Sequence, residues 1–373
     1  MAGIYIHIPF CKQACNYCDF HFSTTRKHQQ AMVVAICDEL SLRASEVDST
    51  IKTIYFGGGT PSLLTDEQLD LIFRTIFDHY LVEKNAEITL EANPDDLSRD
   101  YLKILATRSF NRLSIGVQSF FEDHLQFMNR AHNAMQAVES VKQALQLFGN
   151  SSIDLIYGVP GMSTSQWQEN LQKAIDLEVP HLSCYALTVE PNTALESMIS
   201  KGKVTPIDED LAKEHYEYLL AYTAKHGYVN YEFSNFGKPG FFSKNNTAYW
   251  QGESYLGIGP GAHSYDGTSR SWNLANNIKY IKSLKEGERP FTQEILSVQD
   301  RYNEYMMTGL RTMWGVSIDK VAQRFGPEYR DYLIEQAKEP MAEELLENTD
   351  GVLLVTKKGK FLSDGIAAQL FWV

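Results

Sequence analysis

The sequence predicts an α/β fold: six strand–helix units forming an incomplete (β/α)6 barrel or a doubly wound sheet, then a mainly helical C-terminal domain with a small winged-helix-like hairpin. Three observations predict it. Short β-rich runs recur at residues 4–8, 51–56, 86–91, 112–117, 153–157 and 181–187. Helical patterns lie between them; in the first, Val33, Ile36, Cys37 and Leu40 share one face at i, i+3, i+4 and i+7. From about Ser297 onward the chain reads mostly as helix. Strand–helix alternation implies a parallel sheet with right-handed crossovers, and periodicity alone does not separate a barrel from an open sheet.

A length of 373 residues suits roughly two domains. We read residues 1–235 as the strand–helix core, 236–295 as an aromatic connecting region and 296–373 as the helical domain. Tyr249, Trp250, Tyr255, Tyr265 and Trp272 mark the connector, set among Gly and Pro. The last domain ends in Val352–Val355, a Lys357-Lys358-Gly359 turn and Lys360–Leu362, which reads as helices followed by a hairpin. Its acid-rich stretch 339–347 suits a packing domain and not a DNA reader.

A formal net charge of −13 likewise argues against a nucleic-acid partner, which would need a surplus of Lys and Arg. No window approaches the ~18 consecutive apolar residues of a membrane span. Met1-Ala2-Gly3 leads into the first strand without a basic targeting region. Three of the five cysteines fall within eight residues, unlike the spread, paired cysteines of a secreted scaffold. The expected setting is the cytoplasm, without stable membrane insertion, as a monomer or homodimer.

The strongest chemical signal is the loop after the first strand. Cys11, Cys15 and Cys18 have C-x3-C-x2-C spacing. Three such thiolates can ligate three irons of a cubane and leave the fourth open. An open iron suits chelation by the amino and carboxylate groups of S-adenosylmethionine. A Cys3His zinc site completed by His21 is the competing reading, since ligand softness and count both fit. The spacing resembles the signature of the radical S-adenosylmethionine superfamily. Cys37 and Cys184 read instead as small buried hydrophobes, and His7 either tunes the site or faces a helix.

Barrels and parallel sheets build their sites at the C-terminal ends of strands. Here those ends carry Gly57-Gly58-Gly59-Thr60-Pro61, Glu91, Gln118 and Asp154. Each alone suits a turn or a cap; together they put polar groups repeatedly at the end that bears the cysteines. The set resembles one branch of the superfamily, the oxygen-independent coproporphyrinogen III oxidases and their relatives, the HemW haem chaperones. The matching segments are 5–20, 57–61, Glu91-Ala92-Asn93-Pro94, 112–120, Asn129-Arg130, 154–160 and 257–263. The resemblance implies that Tyr5, Tyr17, Gly58, Gly59, Thr60, Glu91, Gln118, Arg130 and Asp154 contact S-adenosylmethionine. Arg130 is apt because a guanidinium pairs with a carboxylate through two parallel bonds.

Two departures choose between the branches. The oxidases carry an N-terminal extension and a fourth cysteine two residues after the third; only four residues precede Tyr5 here, and that position is Phe20. Cys18-Asp19-Phe20 is the chaperone-like form. The chaperones also have a His-Asn-x-x-Tyr-Trp motif thought to serve haem, matched by Asn245-Asn246-Thr247-Ala248-Tyr249-Trp250. Asn246, Tyr249 and Trp250 are thus the implied haem contacts. Asn245 replaces the histidine, and a carboxamide is a poor axial ligand, so the alternatives are ligation by Tyr249 or His263, although His263 in Gly-Pro-Gly-Ala-His also suits a structural bond, or haem held mainly by aromatic contact. The expectation is a carrier with haem as cargo and an unidentified haem-accepting protein as partner. The alternatives are radical decarboxylation of coproporphyrinogen III and a structural zinc protein.

Overall fold

The computed structural model describes residues 2–373. Its first half lays down six strands: β1 (Ala2–Ile8), β2 (Ile51–Gly58), β3 (Val82–Ala92), β4 (Arg112–Gln118), β5 (Ser151–Tyr157) and β6 (His181–Ala186). Each pairs parallel with its predecessor. All six lie where the β-rich runs put them; the first five are extended by one to five residues and β6 stops one residue short, at Ala186. The helix over Val33, Ile36, Cys37 and Leu40 is Gln29–Leu42, and all four side chains are buried.

Alternation explains the layering. In β1, Ile4, Ile6 and Ile8 are fully buried in the apolar core while Tyr5 and His7 point the other way. The apolar face is covered by helices, and helix Gln29–Leu42 packs on helices Asp66–His79 and Asn277–Lys285. Thr65 and Ser163 begin their helices with side-chain caps to Gln68 and Gln166, each a reciprocal capping box.

Residues 236–295, read as a connector, extend the same sheet. After β7 (Val229–Glu232) and β8 (Asn235–Gly237) come helix Lys244–Trp250 and β9 (Ser254–Ile258), which pairs parallel with β1 on its other side. Then β10 (His263–Tyr265), β11 (Ser269–Asn273) and β12 (Phe291–Ile295) follow antiparallel. The result is one 12-stranded sheet in the order β12-β11-β10-β9-β1-β2-β3-β4-β5-β6-β8-β7.

The C-terminal module has its own core, built from Tyr302, Met306, Leu310, Phe325, Leu333, Leu353 and Ile366. Its three-stranded sheet corrects one expectation. With β13 (Val316–Ser317), β14 (Leu346–Thr349) and β15 (Val352–Val355), the order is β13-β15-β14. Val352–Val355 therefore pairs backward across Asp350-Gly351, not forward with Lys360–Leu362, which is a 3-10 turn. Asp350 and Gly351 have φ of 52° and 81°, the two left-handed residues a tight hairpin turn requires. The module docks on the core through the Met313 N–H to Tyr231 O bond at 3.0 Å and a bridge between Glu232 and Thr312. Among the described residues no helix is long and apolar enough to cross a membrane.

Candidate cluster and cofactor site

The cysteine loop is pinned from several sides. The Cys11 N–H donates to Ser23 O at 3.1 Å and the Ser23 N–H to Pro9 O at 3.0 Å. Gln13 Nε2 reaches Asn129 Oδ1 at 2.7 Å, and Asn129 Nδ2 returns to Ala14 O at 2.7 Å. Lys12 bridges to Asp95 at 2.7 Å and also pairs with Asp96. Beneath the loop the Gly59 N–H bonds Ile8 O at 2.9 Å. A Cβ at Gly59 would stand 2.6 Å from Phe10 O and 2.8 Å from Ile8 O. These are backbone atoms that cannot step aside. Gly59→Ala is therefore expected to cost about 1–3 kcal/mol by overpacking and to lower iron uptake, as read by denaturant midpoint and iron content.

Arg130, Thr60 and Tyr17 lie against this loop. Arg130 Nη1 donates to Cys15 Sγ at 3.2 Å, and its Nη2 bonds Asn93 Oδ1 at 2.6 Å and Gly116 O at 2.8 Å. The Thr60 hydroxyl donates to the Cys11 sulfur, and Asn93 Nδ2 reaches Thr60 Oγ1 at 3.3 Å. Tyr17 lies near Arg130, Cys15 and Cys18, and burial raises its hydroxyl pKa. Gln118, buried beside Gly116, holds φ of 65°, a conformation uncommon outside glycine and frequent at functional sites. Glu91 accepts from the Tyr55 hydroxyl at 2.8 Å and the Gly58 N–H at 3.2 Å. Burial pushes Glu91 up to about 7, and Asp154, which accepts from the Ser183 and Ser114 hydroxyls, up to about 6. Burial also holds His7 down to about 4, so its neutral ring links the Tyr5 hydroxyl at 3.3 Å to His21 O at 2.8 Å.

Behind these strand ends lies a polar cavity of about 210 Å³, bounded by Tyr5, Tyr55, Glu91, Asp154 and Tyr249 among others. Helix Lys244–Trp250 walls one side, its first N–H groups held by Glu87: Lys244 N at 3.0 Å and Asn245 N at 3.0 Å. Asn245, at the haem motif's histidine position, is 4% exposed and accepts from Thr53 Oγ1 at 3.0 Å. Asn246 and Tyr249 line the cavity. Trp250 does not; the Arg311 guanidinium lies 5.9 Å over its ring. His263 is exposed, stacked on Trp272 at 5.8 Å and outside the cavity lining. The sequence reading missed Tyr55, Arg112, Ser114, Ser152, His181 and Ser183, all cavity-lining.

The donor set fits a cluster with a chelating cofactor. All three loop thiols are free, and Arg130 Nε is buried without a hydrogen-bond partner beside them. Burial raises Cys11 and lifts Cys18 to about 11, a state that a bound cation reverses. In the zinc alternative His21 would ligate through Nδ1, because its Nε2–H is donated to Asn277 Oδ1 at 2.8 Å.

Residues 5–174 match the Radical SAM superfamily model and residues 296–362 the HemN C-terminal domain model. Fold and cysteine loop thus define a radical S-adenosylmethionine protein, a class whose members bind a [4Fe–4S] cluster and S-adenosylmethionine. The heme chaperone HemW of Lactococcus lactis is 36% identical, covering 97% of this chain and 95% of that protein. Its Bacillus subtilis namesake is 35% identical over 98% of each. The chain belongs to the HemW heme chaperone family. A mouse relative, radical S-adenosyl methionine domain-containing protein 1, mitochondrial, is 32% identical over 96% of this chain and 83% of that protein. The solved coproporphyrinogen III oxidase HemN of Escherichia coli shares the fold, with TM-score 0.87 over 99% of this chain and 90% of that one at 22% identity.

Proposed function

We propose that this chain binds haem and passes it to a haem-requiring acceptor protein in the cytoplasm, holding a [4Fe–4S] cluster on Cys11, Cys15 and Cys18 and S-adenosylmethionine at the adjoining strand ends. One observation carries the reading: Asn246 and Tyr249 of the haem-motif helix share a cavity with Tyr5, Glu91 and Asp154. Relatives named heme chaperones over nearly the full length support it. On this reading the six parallel strands curve as an incomplete barrel around that cavity, and the C-terminal module is winged-helix-like.

When bound, the cluster supplies an iron open to the amino and carboxylate groups of S-adenosylmethionine. The chain's own residues do the positioning. Arg130 offers its unpartnered Nε beside Cys15 to a carboxylate, with the Gly58-Gly59-Thr60 turn alongside the ligand. Glu91 and Asp154 accept from its amino or hydroxyl groups, with Tyr5, Tyr17 and Gln118 closing the sides. Asn245 is tied to Thr53 and Glu87, so axial ligation falls to another group, with Tyr249 the nearest candidate on the same helix.

An anaerobic haem titration of cluster-loaded protein, followed by its Soret absorption, tests the reading. A saturable shift at one haem per chain, weakened in Tyr249→Ala, is the expected result. No saturable shift would sink it, and turnover of coproporphyrinogen III would then be the assay to run.

A further inference from the structure

We propose that the free edge of β12 is where two copies of this chain pair, strand against strand across a twofold axis. The two ends of the 12-stranded sheet differ. At one end the C-terminal module covers β7 through Met313 and Thr312. At the other, among the described residues, β12 pairs with β11 alone, and all five of its residues are exposed. An open edge is a template for further pairing, and proteins blunt it with lysine, proline, a bulge or a covering element. Residues 291–295 contain no lysine or proline, their single charge is Glu294, and their register with β11 runs without a bulge. Ile295 is 74% exposed and Phe291 48%.

The ladder to β11 fixes which backbone groups face outward. The Leu296 N–H donates to Thr268 O at 2.9 Å and the Leu274 N–H to Pro290 O at 2.8 Å. Both bonds continue the register that pairs Ser269 with Ile295 and Asn273 with Phe291. Hydrogen-bonded positions alternate along an antiparallel ladder, so Thr292 and Glu294 point their N–H and C=O groups at β11. Phe291, Gln293 and Ile295 therefore point theirs at the open edge.

That pattern is its own complement. In an antiparallel pair centred on Gln293, each copy's Phe291 stands opposite the other's Ile295, and the two Gln293 residues face one another. Every outward N–H and C=O then meets a partner in a hydrogen-bonded position. On one face an aromatic–aliphatic pair forms twice, a favourable cross-strand combination. On the other face Glu294 meets Thr292, so no like charges stand directly opposed. An unrelated strand would have to match this order; a second copy matches it by symmetry. A contact that uses the same strand in both copies is closed, so assembly ends at a dimer. A five-residue ladder buries less than the ~1,200 Å² of a standard interface, so a reversible, micromolar dimer is expected.

Sedimentation velocity of the cluster-loaded protein under anaerobic conditions, from about 1 μM to about 200 μM, tests the pairing, with hydrogen exchange at both ends of the range. The expected result is a monomer–dimer equilibrium. The amides of Phe291, Gln293 and Ile295 should gain protection at high concentration, while those of Thr292 and Glu294 are protected throughout. Ile295→Lys removes the apolar pair at both ends of the ladder, and should weaken the dimer about tenfold or more. Gln293→Pro deletes an outward N–H and no backbone bond to β11, although its Nε2 bond to Ser269 Oγ at 3.0 Å goes too. It should weaken the dimer similarly, with cluster absorption and thermal midpoint reporting whether it folds. If it does not, Ile295→Lys and the wild-type exchange pattern decide. A chain that stays monomeric over the whole range overturns the proposal. So does a dimer that Ile295→Lys leaves intact, one that forms without protecting Gln293, or an assembly that grows beyond two copies.

Discussion

Cys15→Ala is expected to strip essentially all cluster iron from the protein, from about four irons per chain on full loading to background. The brown visible absorption should go with it. Cys15 is the most committed of the three thiols, since Arg130 Nη1 lies 3.2 Å from its sulfur and anchors the loop to Asn93 and Gly116. Removing it takes away one of three protein ligands and leaves the Arg130 cation facing a methyl group. Cys37→Ala and Cys184→Ala are the matched controls, because both cysteines are buried in the apolar core and should leave iron unchanged. Iron and sulfide analysis after anaerobic reconstitution checks this. Retention of iron by Cys15→Ala would refute the cluster assignment, and zinc in place of iron in the wild type would restore the zinc alternative.

The parts of this molecule legible in its sequence are those set by local rules. Strand runs, the apolar face of Gln29–Leu42 and the cysteine spacing each express themselves within about a dozen residues. The polar interior is legible too. Thr53 and Tyr55, Glu87, Thr89 and Glu91, Arg112 and Ser114, Ser152 and Asp154, His181 and Ser183 put polar side chains at every second position. Strands buried on both faces normally read as continuous apolar runs, so this alternation announces a wet cavity inside the sheet. What was not legible depends on distant partners. Nothing local says that β9 slots beside β1, some 250 residues earlier in the chain. The Asp350-Gly351 turn is by contrast a local signal, two residues of the kind a tight hairpin uses.

Glu39 and Arg43 show the same limit in energetic terms. At i, i+4 on a helix they resemble a surface pair worth a few tenths of a kcal/mol. Instead Glu39 is fully buried, and its carboxylate gathers the second half of the chain: Gly259 N at 2.9 Å, Asn273 Nδ2 at 2.8 Å and the Tyr280 hydroxyl at 2.5 Å. Arg43 Nη1 lies 3.0 Å from it and also reaches Gly257 O at 2.8 Å, while Arg289 Nε stands 3.5 Å away. Glu39→Ala would leave Arg289 without its carboxylate, Arg43 with only the half-exposed Glu46 at 2.8 Å, and several donors unmet. Breaking a buried ion pair from one side costs about 3–5 kcal/mol, so the denaturant midpoint should fall steeply. Glu39→Gln keeps an acceptor and loses only the charge, and should fall between. Because Gly257 and Gly259 flank the β9 end next to His7 and the cysteine loop, iron retention should drop with stability in Glu39→Ala. A loss below about 1 kcal/mol, within the range of an exposed pair, would show that β9 is held to β1 by its backbone ladder alone and that the carboxylate is dispensable.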